Sequence, residues 1–421
     1  MTQALQFDLR KLSTPLMFIL VAELTVGGGG RLIAWGPITL RMALFGCALL
    51  LTVVHLTKGE SLPRALRQLL ILFVGVIFTS AVIGVTADAP RAAVWEDVKP
   101  LLYFLLLPFF YFSIRNTTDV AQLAMLIRGN AVFLAVAFFV VLILIHSHLV
   151  PFLDFYHLVK PTEEFFFRGE LTFVFKGMIY LSIGILFTYF TRRSWLLMTL
   201  VLAALLLTFT RGFWLALITT FAIYFLTVFR STRKWKYAVL FAFCALSAGF
   251  ILFKGQQMIS GLSRWIDRQQ IRASSSQANS DVMISTEELN PRLLGDRAHS
   301  DDSRWRQIKH VVREINLASI FVGHGFGNGT ALRPVHMEIS YLEIFHKQGV
   351  LGLLFWVYVV FLLYRKFRET DKGPFANAFF YSALFVFIQS ATNQYFNNPI
   401  GMGMVLIALV SLHRLSKVHV N

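Results

Sequence analysis

The chain has 421 residues, of which 56% are hydrophobic, 15% are charged and 42 are Phe, and its formal net charge is +16. Soluble domains carry about 25% charged residues, so this composition excludes an ordinary soluble fold and points to lipid as the solvent. The positive charge lies in short Lys and Arg runs between apolar stretches, which is a topology signal rather than a nucleic-acid footprint, and no nucleic-acid partner is expected.

In chain order, apolar segments fall at 15–27, 38–57, 68–86, 98–114, 129–147, 171–190, 194–209, 212–229, 236–254, 349–364, 375–393 and 398–412. Most approach the ~20 residues that cross a bilayer core as a helix. The pattern predicts an all-α integral membrane protein of about twelve transmembrane helices, with one large loop between the ninth and tenth. Helices one to nine occupy 1–254, the loop 255–348 and the last three helices 349–421. Alternate loops hold the basic residues: Arg10 and Lys11; Lys58, Arg64 and Arg67; Arg115 and Arg128; Arg192 and Arg193; Arg230, Arg233, Lys234 and Lys236; Arg365, Lys366, Arg368 and Lys372; Arg414 and Lys417. The positive-inside rule puts these loops and both termini in the cytoplasm, and the large loop outside. No small-residue cleavage site follows the first apolar run, so no signal peptide is expected. Cys47 and Cys244 both lie in apolar segments, which excludes a disulfide framework.

The two long connections, 148–170 and 255–348, both face outward. In the second, Met258, Leu262, Trp265 and Ile266 form an apolar stripe opposite Arg264, Arg268 and Arg272, as in a helix lying on a membrane surface. Residues 273–303 read as mobile. Trp305, Ile308, Val312 and Ile315 then recur at helical spacing among Arg304, Arg306, Lys309 and Arg313. His299, Asp301 and Asp302 read as solvated loop residues, and no metal site is expected.

Four constellations could carry chemistry. Thr208 to Trp214 places Arg211 and Gly212 at the outer end of two adjacent spans, either as an anion site or as a snorkelling anchor. Arg168-Gly169-Glu170 precedes Lys176, a lysine inside an apolar stretch that is either functional or neutralised by Glu170. Gly323, Gly325 and Gly327 alternate in a turn that either admits a ligand closely or is merely flexible; its spacing is not that of a dinucleotide site. In 336–349, His336, Ser340, Glu343 and Lys347 recur at helical intervals, predicting a polar helix on the outer surface. His336 and Glu338 are the general-base candidates there.

Together these pieces resemble the O-antigen ligase and O-antigen polymerase superfamily of bacterial inner-membrane glycosyltransferases. The matching residues are Thr210-Arg211-Gly212, Ser303-Arg304-Trp305, Gly323 to Gly327, and Tyr341-Leu342 with Gly349, in that order over about 165–360. The family histidine falls near Glu338 by this register, whereas His336 stands two residues earlier, so the base is one or the other. The resemblance implies a multi-pass protein of the bacterial inner membrane with a periplasmic loop. It implies a polyprenyl-diphosphate-linked glycan as donor, and a lipid-linked glycan or lipid A–core as saccharide acceptor. Arg211, Arg304, Arg168 and Lys176 would bind the diphosphate through charge-assisted hydrogen bonds, and Arg211 would also stabilise the leaving group. Neither a cofactor nor a metal is implied. A lipid-linked oligosaccharide flippase is the alternative from another class; it calls for polar residues near the midplane on broken helices.

Overall fold

The computed structural model describes residues 9–36, 38–167, 172–229, 297–330 and 336–417, with backbone alone at 229 and 297–303. The span expected at 236–254, the stripe of Met258, Leu262, Trp265 and Ile266, the segment 273–296 and the Arg168-Gly169-Glu170 run lie outside the described residues, as do the side chains of His299, Asp301 and Asp302.

The described chain is helical, in the order α1 (Arg10–Val26), α2 (Leu40–Thr57), α3 (Arg64–Thr86), α4 (Arg91–Leu101), α5 (Leu107–Ser113), α6 (Thr117–His146), α7 (Phe152–Val159), α8 (Ile179–Thr191), α9 (Trp195–Leu207), α10 (Arg211–Phe229), α11 (Arg297–Glu314), α12 (Leu317–Val322), α13 (Ser340–Arg368), α14 (Pro374–Gln389) and α15 (Pro399–Lys417). Among the described residues six helices are long and apolar enough to cross a bilayer: α2, α3, α6, α10, α13 and α15. Helices α9 and α14 are apolar but shorter. Their sequence limits are physical. Pro100 and a 3-10 stretch at Leu102–Leu106 break the segment expected to run unbroken from 98 to 114. The segment expected at 171–190 becomes helical only at Ile179, because Phe173–Phe175 pairs antiparallel with Phe165–Phe167. The segment expected from 129 begins at Thr117, where Asn116 and Asp119 form a capping box.

Large apolar side chains point outward along the bundle: Leu50, Ile71, Phe78, Phe133, Ile143, Leu196 and Val357 are each more than half exposed. In water such a surface would aggregate, whereas in lipid it is the expected exterior. The core instead gathers around α15, buried without interruption from Ile400 to His413. At one end of the bundle basic side chains are tied down. Arg414 donates to the carbonyls of Ile114 and Tyr111 at 2.6 Å, and Arg115 pairs with Glu60 at 3.0 Å. The opposite end carries the helix starts and loops that build the site below.

Candidate active site

The site begins with a helix interruption. Gly349 adopts φ 64°, ψ −158° inside α13 and divides it into a short outer arm, 340–348, and a longer inner stretch. Such a break strips the carbonyls just before it of their intrahelical donors. The Gly323–Gly327 turn supplies replacements: His324 N–H donates to His346 O at 2.8 Å and Gly325 N–H to Lys347 O at 3.1 Å. All three glycines of the turn have φ between 75° and 81°, a region that penalises any Cβ. The far side of the turn rests on α3, where Phe326 N–H donates to Ser80 O at 2.9 Å.

The packed turn brings Asp97, on α4, beneath the outer arm of α13. Lys347 Nζ lies 2.6 Å from Asp97 Oδ1 and 2.7 Å from Glu343 Oε1, and the three side chains are each at most 5% exposed. The outer carboxylate oxygens are also engaged. Asp97 Oδ2 accepts from Gly327 N–H at 2.7 Å, and Glu343 Oε2 accepts from Gln394 at 2.9 Å and from Asn397. Burial raises the Asp97 carboxyl from its ordinary value, opposed by the Lys347 ammonium beside it. His336 Nδ1 faces the same inner oxygens, 3.4 Å from Glu343 Oε1 and 3.7 Å from Asp97 Oδ1, while the ring is 46% exposed. A carboxylate at Nδ1 holds the neutral ring's proton there and leaves the Nε2 lone pair for outside chemistry.

Glu338 is engaged differently. Its Oε2 accepts from Arg304 Nε at 2.9 Å, and its N–H donates to the buried Gln307 side chain at 3.2 Å. The Glu338 carboxylate is thus paired with the Arg304 guanidinium, whereas His336 faces two buried carboxylates. The expected helix from His336 onward is corrected: α13 starts at Ser340, with His336 to Ile339 leading into it. Tyr341 points away from the cluster, its hydroxyl donating to Phe387 O at 2.8 Å, and so pegs the segment to α14.

The helical spacing of Trp305, Ile308 and Val312 falls in α11. Trp305 and Val312 are more than half exposed and Ile315 is exposed, while Gln307 and Val311 face inward. Arg304 and Gln307 both contact Glu338 from this helix.

Arg211 heads α10 after a turn in which Phe209 takes φ 50°, a left-handed conformation uncommon outside glycine. Thr172 Oγ1 ties that turn to Leu207 O at 2.9 Å. The next residue, Gly212, packs against the polar end of α14: a Cβ there would stand 2.7 Å from Thr392 Oγ1 and 2.9 Å from Gln389 Nε2. The same 389–397 segment holds Ser340, whose hydroxyl donates to Asn393 O at 3.0 Å and accepts from Tyr395 N–H at 3.0 Å. One polar segment therefore touches the start of α10, the start of α13 and Glu343. Lys176 sits elsewhere, in a 3-10 turn at Lys176–Met178, with Nζ 5.9 Å from the Phe166 ring centre and its N–H donating to Glu164 O.

Asp97 and the 389–397 segment were not among the residues that sequence reasoning selected, and Glu343 and Lys347 were noted only as helix-repeat positions. A usable signal was the run of Gln and Asn between two apolar helices, which is costly near lipid unless it is engaged. The ligand atoms of Asp97, His336 and Glu343 lie within 4.8 Å of one another, a donor set that suits a divalent cation; Lys347 Nζ stands among them.

Comparison with known proteins agrees with this end of the bundle. The O-antigen ligase family model matches residues 195–357, which include Arg211, Arg304, the glycine turn and the outer arm of α13. An O-antigen polymerase of Shigella flexneri is 24% identical over 413 residues, covering 96% of this chain and 95% of the relative. The flippase reading gains no support from either.

Proposed function

We propose that this chain, which belongs to the superfamily of O-antigen ligases and polymerases, is a membrane glycosyltransferase that moves a glycan from a polyprenyl-diphosphate donor to a saccharide hydroxyl. The reading rests on one observation: an exposed imidazole backed by buried carboxylates stands beside a carboxylate-oriented arginine at a single end of the bundle. By the charge alternation that end is periplasmic, and the end bearing Arg115 and Arg414 is cytoplasmic.

The acceptor hydroxyl would give its proton to His336 Nε2 as its oxygen attacks the anomeric carbon. The bond from that carbon to the diphosphate oxygen breaks, and the electron pair leaves with the polyprenyl diphosphate. Negative charge grows on the leaving group, so cations fixed in advance lower the barrier. Arg304, with its Nε held by Glu338, is a guanidinium of fixed orientation, the group type that pairs with a diphosphate. Arg211, at the start of α10, adds a second cation where first-turn N–H groups lack intrahelical acceptors. Arg168 and Lys176 are further candidates for the diphosphate. Glu343 and Asp97 stand behind the ring at Nδ1 and hold its orientation.

Between the two acceptors, polymerase is favoured, because similarity to a polymerase runs through 96% of the chain. Purified protein given lipid-linked glycan alone should produce a ladder of longer glycans and free polyprenyl diphosphate. Product only when lipid A–core is added would make it a ligase. No diphosphate release with either acceptor would sink the reading.

A further inference from the structure

The triad of Asp97, His336 and Glu343 has the donor types and the compactness of a divalent metal site, yet a side chain of the same protein bridges its two carboxylates. We propose that Lys347 is a built-in cation: its ammonium occupies the cation position between Asp97 and Glu343, and so positions the His336 imidazole and the Gly323–Gly327 turn. The word positioning rests on the functional reading above; the occupancy claim does not.

Three features carry the inference. Lys347 is 2% exposed, so its charge is not a surface accident, and its two short contacts reach opposed carboxylates on different helices, α4 and α13. Those same two oxygens, Asp97 Oδ1 and Glu343 Oε1, are the ones that His336 Nδ1 faces. The outer oxygens then pass the constraint on, Asp97 Oδ2 to the Gly327 N–H and Glu343 Oε2 to Gln394 and Asn397. One ammonium thus sets the spacing of two carboxylates, and the carboxylates set the imidazole, the turn and the polar 389–397 segment. Without the ammonium, two buried carboxylates would face each other across the space it fills and repel. An ammonium offers charge and three N–H donors but no Lewis acidity, which fits an organising role beside the reacting groups rather than contact with the leaving diphosphate.

The prediction that separates this from ordinary structural pairing is that removing the amine makes a metal site. Full-length Lys347→Ala in detergent should bind one Co2+ with visible absorption bands of a nitrogen–oxygen site, and Lys347→Ala/Asp97→Asn should lose them. The wild-type protein should show no such bands. Wild-type Co2+ binding of similar strength, abolished by Asp97→Asn, would overturn the proposal, because the centre would then belong to a metal. Co2+ binding is read without donor or acceptor, so it stands or falls independently of glycan transfer. In the transfer assay, Lys347→Met should lower kcat at least tenfold with donor KM within threefold. The charge-balanced pair Asp97→Asn/Lys347→Met removes the buried repulsion and keeps a test available if the single variants fold poorly. It should be no slower than Asp97→Asn alone. Losses that multiply in the double variant, or a Lys347→Met kcat equal to wild type, would overturn the positioning role.

Discussion

Replacing Gly84 by alanine tests whether the glycine turn must lie where it does. Gly84 is on α3, and a Cβ there would stand 2.0 Å from the Phe326 carbonyl oxygen and 2.9 Å from its carbon. Those are backbone atoms, so no side chain can swing aside, and ordinary contact needs a shift on the order of 1 Å. The turn has nowhere to retreat, because a Cβ on Gly323 would already meet Lys347 C at 2.3 Å on the other side. A shift of that size gives up the Phe326 N–H bond to Ser80 O and the Gly327 N–H bond to the Asp97 carboxylate. A neutral hydrogen bond contributes about 1 kcal/mol and one to a charged group about 1.5–3, so the loss is about 2–4 kcal/mol. Helix propensity offsets only about 1 kcal/mol of this. Displacement by about 1 Å near the reacting groups costs on the order of 10²-fold in rate. Gly75→Ala is the control in the same helix, since nothing lies within 4 Å of its Cβ position. The assay is thermal unfolding in detergent together with glycan transfer at a temperature where both variants are folded. Gly84→Ala should melt lower and transfer roughly a hundredfold more slowly, and Gly75→Ala should transfer like wild type and melt no lower. Equal melting and equal transfer in the two would refute the wedge.

Other substitutions separate roles within the site. His336→Ala should slow single-turnover transfer by about 10²–10⁴-fold, whereas Glu338→Gln should weaken donor binding with a far smaller effect on the chemical step; the reverse ranking would return the base role to Glu338. Arg304→Lys keeps the charge but removes the Nε–H held at 2.9 Å by Glu338, so kcat should fall about tenfold, and a wild-type rate would show that only charge matters. Ser340→Ala strips the partner from the Tyr395 N–H and should cost about 1–3 kcal/mol of stability, read as a lower melting temperature; no change in melting would argue that this hydroxyl does not clamp the 389–397 segment.

The all-α membrane class was legible because lipid imposes a coarse rule, long apolar runs, and that rule survives single-residue errors. What escaped it were departures from straight helices. Pro100 stood in view, yet its effect depends on whether neighbours re-satisfy the freed carbonyls. The Phe165–Phe167 hairpin strand reads as apolar, and so does its partner Phe173–Phe175; over three residues a strand and the start of a span look alike. The Trp305 stripe has the correct helical period, but period alone does not say which face a helix docks with.

The site divides along a different line. In the candidate site, the groups singled out from sequence were those close together along the chain: Arg211 with Gly212, the three alternating glycines, and His336 near Glu338. Residues recruited from far along the chain were not. Asp97 is one acidic residue among several ahead of an apolar segment, and nothing near it hints at a lysine 250 positions away. The i, i+4 pair Glu343 and Lys347 reads, taken locally, as a surface salt bridge of small consequence. Burial reverses its meaning: with Asp97 added, two carboxylates share one ammonium out of water, and removing that ammonium leaves both without a counter-charge. The choice between His336 and Glu338 was open in sequence for the same reason. Each is a candidate base by type, and the sequence shows the partner of neither. Arg304 claims Glu338, while two carboxylates stand behind His336 and leave its other face open.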